Sequence, residues 1–280
     1  MEKAIKRYFP IFVLTTMIAF TLGFIIPFAE GVYLSFCKFT TVNDAKFIGL
    51  SNYGKVFKDS TFVHAFWYTA AFTVVSVILI NVLAFAVALL LTKGIKGTNV
   101  FRTVFFMPNL IGGIVLGYIW QLLLNGILMK FSRTLTYSST FGFWGLVILM
   151  CWQQIGYMMI IYIAGIQNIP GELIEAAEID GATKRQVLKS VTIPMVMPSI
   201  TVCTFLTLTN SFKLFDQNLA LTNGEPSKMS EMLALNIFTT FYGRAGYEGV
   251  GQAKAVIFFI LVAAIALTQN YLTRRKEVQQ

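Results

Sequence analysis

The sequence predicts an all-α membrane protein of six transmembrane helices with both termini on the cytoplasmic side. Three observations carry that reading: a composition poor in charge, six apolar runs of spanning length, and the side on which lysine and arginine collect. Hydrophobic residues make up 56% of the 280 and charged residues only 12%, against roughly a quarter charged in soluble domains. The net charge of +9 does not point to nucleic acid, because the basic residues sit at the edges of apolar runs and form no stripe among polar residues. Cys151 and Cys203 lie inside apolar runs and Cys37 has no evident partner, so neither a disulfide framework nor a paired-cysteine metal site is implied.

The first run, residues 8–36, follows Lys3, Lys6 and Arg7. It is longer than the about 7–15 apolar residues of a secretory signal and has no clear small-x-small cleavage site, so it reads as a retained span kinked near Gly23 and Pro27. Residues 38–61 read as an external loop, with Asn43, Asp44 and Gly49 as turn signals. The second span covers 62–91 and ends at the basic loop Lys93-Gly94-Ile95-Lys96-Gly97. The third covers 101–124, where Gly113 and Gly117 form a small-xxx-small pair suited to close helix approach. Residues 125–140 form a second external loop. The fourth span, 141–165, carries Trp152, Gln153, Gln154 and Tyr157, polar side chains that must face protein or water. The fifth covers 191–215 and bears Asn210, Ser211 and Lys213 toward its end; a longer external loop, 216–249, precedes the sixth, 250–272. No internal repeat is evident, and the chain reads as a single transmembrane domain over 1–280.

With the amino terminus inside, the cytoplasmic segments hold Lys3, Lys6, Arg7, Lys93, Lys96, Arg102, Lys184, Arg185, Lys189, Arg274, Arg275 and Lys276, twelve of the 22 basic residues. The bias is moderate and has the sign expected of cytoplasmic loops.

Between the fourth and fifth spans lies the one long polar segment, the elbow 167–190. Pro170 suits a first helical position, Gly181 a left-handed stop, and Thr183 the cap of a second short helix running toward Pro194. Leu173, Ala176, Ala177 and Asp180 recur at spacings of three and four, a small-residue face, while Glu172, Glu175 and Glu178 stay polar. A loop resting on the bilayer surface is the alternative, and four acidic residues in the first helix weigh against it, since anionic lipids select lysine and arginine.

Chemistry of its own is hard to find in the chain. There is no GxxxxGK[ST] phosphate cradle and no HExxH site. His64, the only histidine, falls at an outer span boundary where an interfacial role suffices. Glu30 and Asp216 lie near span ends, so a proton-coupled carrier lacks its deep carboxylates.

Glu175-Ala176-Ala177, Asp180-Gly181-Ala182, Val191-Thr192-Ile193-Pro194 and Pro198 together resemble the EAA signature of binding-protein-dependent ABC importer permeases. Departures are Leu188 for a usual phenylalanine, Val191 for isoleucine and Ile193 for leucine. Phe101-Arg102, Phe106-Met107-Pro108 and Tyr118-Ile119-Trp120 resemble the maltose and multiple-sugar permeases, as do 211–216, 221–226 (with Glu225 for a usual glycine) and 249–256. The resemblance implies the compact six-span type I importer permease fold in the cell membrane. It implies that Glu175, Ala176, Ala177, Asp180 and Gly181 couple to an ATPase. It implies as partners a second homologous permease, two cytoplasmic ABC ATPase subunits, an extracytoplasmic sugar-binding protein and the lipid bilayer, with no nucleic acid. No cofactor belongs to this chain, Mg-ATP being held by the ATPase. It places a sugar site on Gln154 and Tyr157 of the fourth span and Asn210, Ser211 and Leu214 of the fifth. Amides, hydroxyls and an aromatic face are what sugar recognition asks for, although the same amides are also able simply to tie helices together. Alternatives are a permease for a polyol phosphate, which asks for a mid-span cation that only Lys213 approaches, and a membrane enzyme acting on lipid-linked sugar, which asks for a catalytic cluster that Asp216 alone does not supply.

Overall fold

The computed structural model describes residues 2–274; Arg275 and Lys276, counted above as cytoplasmic, lie outside the described residues. In chain order the helices are α1 (Glu2–Phe20), passing through a π turn at Thr21–Ile25 into α2 (Ile26–Leu34), then α3 (Ser51–Lys58), α4 (Ser60–Leu91), α5 (Thr98–Phe106), α6 (Gly113–Leu128) and α7 (Ser139–Gln167). They continue with α8 (Gly171–Ile179), α9 (Lys184–Val187), α10 (Ile193–Met195), α11 (Met197–Phe212), α12 (Asp216–Leu221), α13 (Leu233–Gly243) and α14 (Glu248–Arg274). The β-structure among the described residues is one two-residue antiparallel pair, β1 (Cys37–Lys38) with β2 (Lys46–Phe47).

Among the described residues five helices are long and apolar enough to cross a membrane: Val13–Leu34, Ser60–Leu91, Gly113–Phe131, Ser139–Gln167 and Glu248–Tyr271. The bent pair Lys184–Met195 and Met197–Phe212 supplies a sixth, its halves at 68°. The six predicted runs each overlap one of these elements, with three corrections. The third, 101–124, is not one helix. Pro108 has no N–H for the Val104 carbonyl and its ring crowds that turn, so α5 gives way to a 3₁₀ turn at Met107–Leu110, and Ile111 and Gly112 are extended before α6 begins. The fifth, 191–215, is bent at Val196, between Pro194 and Pro198 and beyond a π turn at Leu188–Thr192. The external segments 38–61 and 216–249 are not plain loops but hold the β pair, α3, α12 and α13, all too short to register as spans.

The chain forms two compact units, one built on Met1–Ser60 and Ile237–Ile260, the other on Thr61–Asn236 and Leu261–Gln280. In the first, Asn52 Nδ2 on α3 donates to the Ser35 and Cys37 carbonyls at 2.9 and 2.8 Å, and the Tyr53 and Ser35 hydroxyls share a 2.7 Å bond. Lys254 of α14, fully buried, donates from Nζ to Asp59 Oδ2 at 2.7 Å and to Thr240 Oγ1 at 2.8 Å. The apolar side chains of the first span, such as Leu14 and Leu22, stand exposed, as lipid-facing residues do.

In the second unit α7 is the enclosed helix: 67% of its most apolar window is buried. Phe72, Ile80, Ala84 and Ala88 of α4 and Leu146, Leu149, Met158 and Met159 of α7 share one core with Cys203 of α11. A polar relay crosses it, in which the Tyr162 hydroxyl donates to Asn81 Oδ1 at 2.6 Å and Asn81 Nδ2 donates to Thr207 Oγ1 at 2.9 Å. Each such interhelical bond contributes about 0.6 kcal/mol on average in a bilayer. The relay therefore fixes the register of three helices more than it stabilises them. Gly113 and Gly117 do serve close approach: Gly113 abuts Asp216 and Gln217, and Gly117 abuts Ala220 of α12.

Candidate functional site

Two features of the second unit matter, the elbow after α7 and a polar cleft, and α11 joins them. The elbow begins one residue later than expected: Pro170 is the cap of α8 (φ −58°, ψ 127°) and Gly171 the first helical residue. The stop is as read from the sequence. Gly181 is left-handed at φ +80°, and the Ala182 N–H donates to the Ala177 carbonyl at 2.9 Å while the Gly181 N–H donates to Glu178 at 3.0 Å. These are the paired bonds of a Schellman stop. Thr183 then caps α9: the Gln186 N–H donates to Thr183 Oγ1 at 3.4 Å, and Gln186 Oε1 accepts the Thr183 N–H at 2.7 Å.

Of the expected docking face, Leu173, Ala176 and Asp180 are exposed, Gly181 is exposed at the turn, and Ala177 is half-buried. Ile174 turns inward onto the core and Val187 is buried, so both arms of the elbow are anchored from beneath. Glu172, Glu175 and Glu178 are exposed. Ile179 was not read from the sequence, and at 86% exposure it is the most exposed large apolar side chain described. Its signal was available, since it lies three residues from Ala176 on the same side of the helix. Gly181→Ala is expected to cost the elbow about 1–2 kcal/mol, because a β-carbon is disfavoured in the left-handed region. Faster amide exchange at 182 and 183 in the otherwise intact protein is the readout, and unchanged exchange counts against it.

The cleft, about 400 Å³, is lined by Asn109, Met150, Gln153, Gln154, Asn210, Lys213, Leu214, Phe215, Asp216 and Gln217. It opens where helices are interrupted: Asn109 comes from the break between α5 and α6, Met150, Gln153 and Gln154 from the middle of α7, and the rest from the end of α11 to the start of α12. Interrupted spans at mid-membrane depth expose backbone and polar groups to a cavity where continuous helices do not. Asn210 Nδ2 donates to Gln154 Oε1 at a long 3.4 Å. Gln217 Nε2 donates to Gln153 Oε1 at 2.8 Å, and Gln153 Nε2 to the Ile111 carbonyl at 3.4 Å, tying α12 and α7 to the break. Lys213 and Asp216 share the cleft without closing an ion pair on each other.

Of the five residues expected at a substrate site, the structure brings Gln154, Asn210 and Leu214 to the cleft. Tyr157 lies away from it with its ring 6.4 Å from that of Phe106, and Ser211 is turned inward, its hydroxyl buried without a partner. Sequence reasoning missed Asn109 and Gln217, and it marked Gln153 as facing protein or water without assigning it to the site. Pro108 beside Asn109, followed by Gly112-Gly113, was the signal for a break that frees polar groups. Among the described residues no cluster of three His, Cys, Asp or Glu is arranged to hold a metal.

The second unit thus carries a cleft where helices are interrupted and an elbow between the fourth and fifth spanning elements. Residues 81–278 match the model of the binding-protein-dependent transport system inner membrane component, and the chain belongs to that family. It is 43% identical over 96% of its length to a probable starch degradation products transport system permease of Thermoanaerobacterium thermosulfurigenes, covering 94% of that protein. It is 28% identical to a multiple sugar-binding transport system permease of Streptococcus mutans, over 99% of both chains. A solved chain from a bacterial ABC transporter importing the acidic polysaccharide alginate superposes with a TM-score of 0.82 over 98% of both chains at 21% identity.

Proposed function

We propose that this chain is the permease subunit of an ABC importer that passes a sugar or oligosaccharide inward by alternating access. In this reading it works with a second permease, two ATPases that hold Mg-ATP, and an external sugar-binding protein. The observation that carries the reading is the five carboxamides, Asn109, Gln153, Gln154, Asn210 and Gln217, gathered at one cleft where spans are interrupted. Each offers both a donor and an acceptor, which suits the vicinal hydroxyls of a sugar. Full-length relatives named for starch products and multiple sugars support the same substrate class.

Lys213 on its own favours an anionic ligand, but Asp216 lines the same cleft, so the lining carries one charge of each sign and a polyol phosphate fits less well. The elbow supplies the drive. Leu173, Ala176 and Ile179 present a short apolar edge beside Glu175 and Glu178, a shape that fits a cleft on a partner, and α9 to α11 carry its movement toward Asn210.

The test is the importer reconstituted with its partners and assayed across a panel of sugars. Stimulation of ATP hydrolysis by one sugar class is expected. Asn210→Ala or Gln154→Ala is expected to raise the half-saturating concentration about fivefold to thirtyfold, the worth of one or two hydrogen bonds of about 1 kcal/mol each. Glu175→Lys is expected to leave insertion intact and abolish coupled uptake. Variants that transport like the parent would remove the cleft or the elbow from the mechanism.

A further inference from the structure

The external segment ahead of α4 runs against the charge bias of the rest of the chain. Between β1 and α4 it holds Lys38, Lys46, Lys55 and Lys58, on the side where basic residues are usually sparse. Two carboxylates, Asp44 and Asp59, offset these four lysines only in part. Asp44 accepts the Thr40 and Thr41 N–H groups, each at 3.0 Å, bonds that hold its carboxyl below the ordinary carboxylate range. Asp59 is paired with the buried Lys254.

The exposed side of α3 is itself divided. At 100° per residue, Leu50, just ahead of the helix, and Phe57 form one edge, 69% and 70% exposed, while Lys55 and Lys58 form the other. On the α14 side of the same unit, Lys55 Nζ and the Arg244 guanidinium each stand 5.9 Å from the centre of the Tyr247 ring. Two cations thus converge on one half-exposed tyrosine. The depth of this cluster is set by connectivity, since one residue separates α3 from the spanning helix α4, and Tyr247 immediately precedes α14. Asp59–Lys254 and the Asn52 bonds hold α3 rigidly in this unit.

We infer that this cluster binds the anionic phospholipid headgroups of the outer leaflet. Phe57 and Leu50 enter the headgroup boundary, as aromatic and aliphatic residues do at membrane interfaces, and Lys55, Lys58 and Arg244 meet the phosphates at the water side. An acidic protein surface would also meet the cations; the place of Phe57 and Leu50 just ahead of the spanning helix α4 in the chain is what favours the headgroup boundary.

The experiment uses the reconstituted importer in nanodiscs of phosphatidylcholine alone or mixed with phosphatidylglycerol, with amide exchange followed over 50–58 and 243–249. Phosphatidylglycerol is expected to slow exchange in both segments without any external protein present. Retention of that lipid, measured by native mass spectrometry, is expected to fall about fivefold for each of Lys55→Gln and Arg244→Gln. Lys228→Gln, elsewhere on the outer side, is expected to change nothing, and thermal melts of each variant report that it is folded. Equal exchange in the two lipids overturns the inference. So does protection that appears only when the soluble binding protein is added, which assigns the cluster to an acidic protein face, and so does an equal loss with Lys228→Gln, which assigns the effect to overall charge.

Discussion

Replacing Lys254 with methionine is expected to destabilise the fold by about 3 kcal/mol, the low end of the cost of breaking a buried ion pair. Lys254 is fully buried and donates to Asp59 and Thr240, while the Asp59 side chain retains 19% exposure. Losing the ammonium leaves a largely desolvated carboxylate, and the water that reaches Asp59 keeps the cost from climbing higher. The methionine preserves the aliphatic volume, so the loss reports charge and hydrogen bonding rather than a cavity. Lys254→Met with Asp59→Asn is expected to recover part of the stability, because the carboxylate that lost its ammonium is gone. Denaturation of the purified protein in one detergent, followed by helical signal, checks both variants. If the double variant is no more stable than the single, the pair does not act as described.

The second large effect is expected at Gly156. On α7 its missing β-carbon lets the α5 backbone come into contact: a Cβ there would run into the Phe105 carbonyl and the following peptide. The obstacle is main chain, so no rotamer change relieves it, and α5 and α7 must separate. Gly156→Ala is expected to cost about 1–3 kcal/mol, the usual price of overpacking, and Gly156→Val more. Gly126, on α6 with nothing within 4 Å of a β-carbon, is the contrast. Gly126→Ala is expected to be neutral or to stabilise by up to about 1 kcal/mol through helix propensity. The melting temperatures of the three variants decide the matter, and equal shifts at 126 and 156 would show that packing of α5 on α7 is not the cause.

Much of this was legible in the chain because it is local. The elbow is written in consecutive residues: Gly181 stops one helix and Thr183 starts the next, and no distant partner is needed to see either. The six apolar runs are legible for the same reason. The break in the third span was not, since its apolar residues continue through Pro108 and membrane helices often tolerate a proline. Asn109 and Gln217 could be joined to Gln153 only once the break and the short α12 were in place. Tyr157 and Ser211 show the opposite failing: residues a turn or less from the cleft by sequence face elsewhere, because a helix presents only one side to a cavity. Lys254 was passed over inside an apolar run, and its partner Asp59 lies 195 residues away.

The bend at Val196 has a mechanical meaning. With a rise of 1.5 Å per residue, α11 reaches about 20 Å from the bend to Asn210, so in the proposed importer it would act as a lever pivoted at the prolines with the elbow as its short arm. A swing of only about 3° displaces the far tip by about 1 Å over that length. The Asn210–Gln154 bond, already 3.4 Å long, stands at the limit of hydrogen-bond range. A stroke too small to disturb the core is therefore large enough to make or break the first polar link across the cleft.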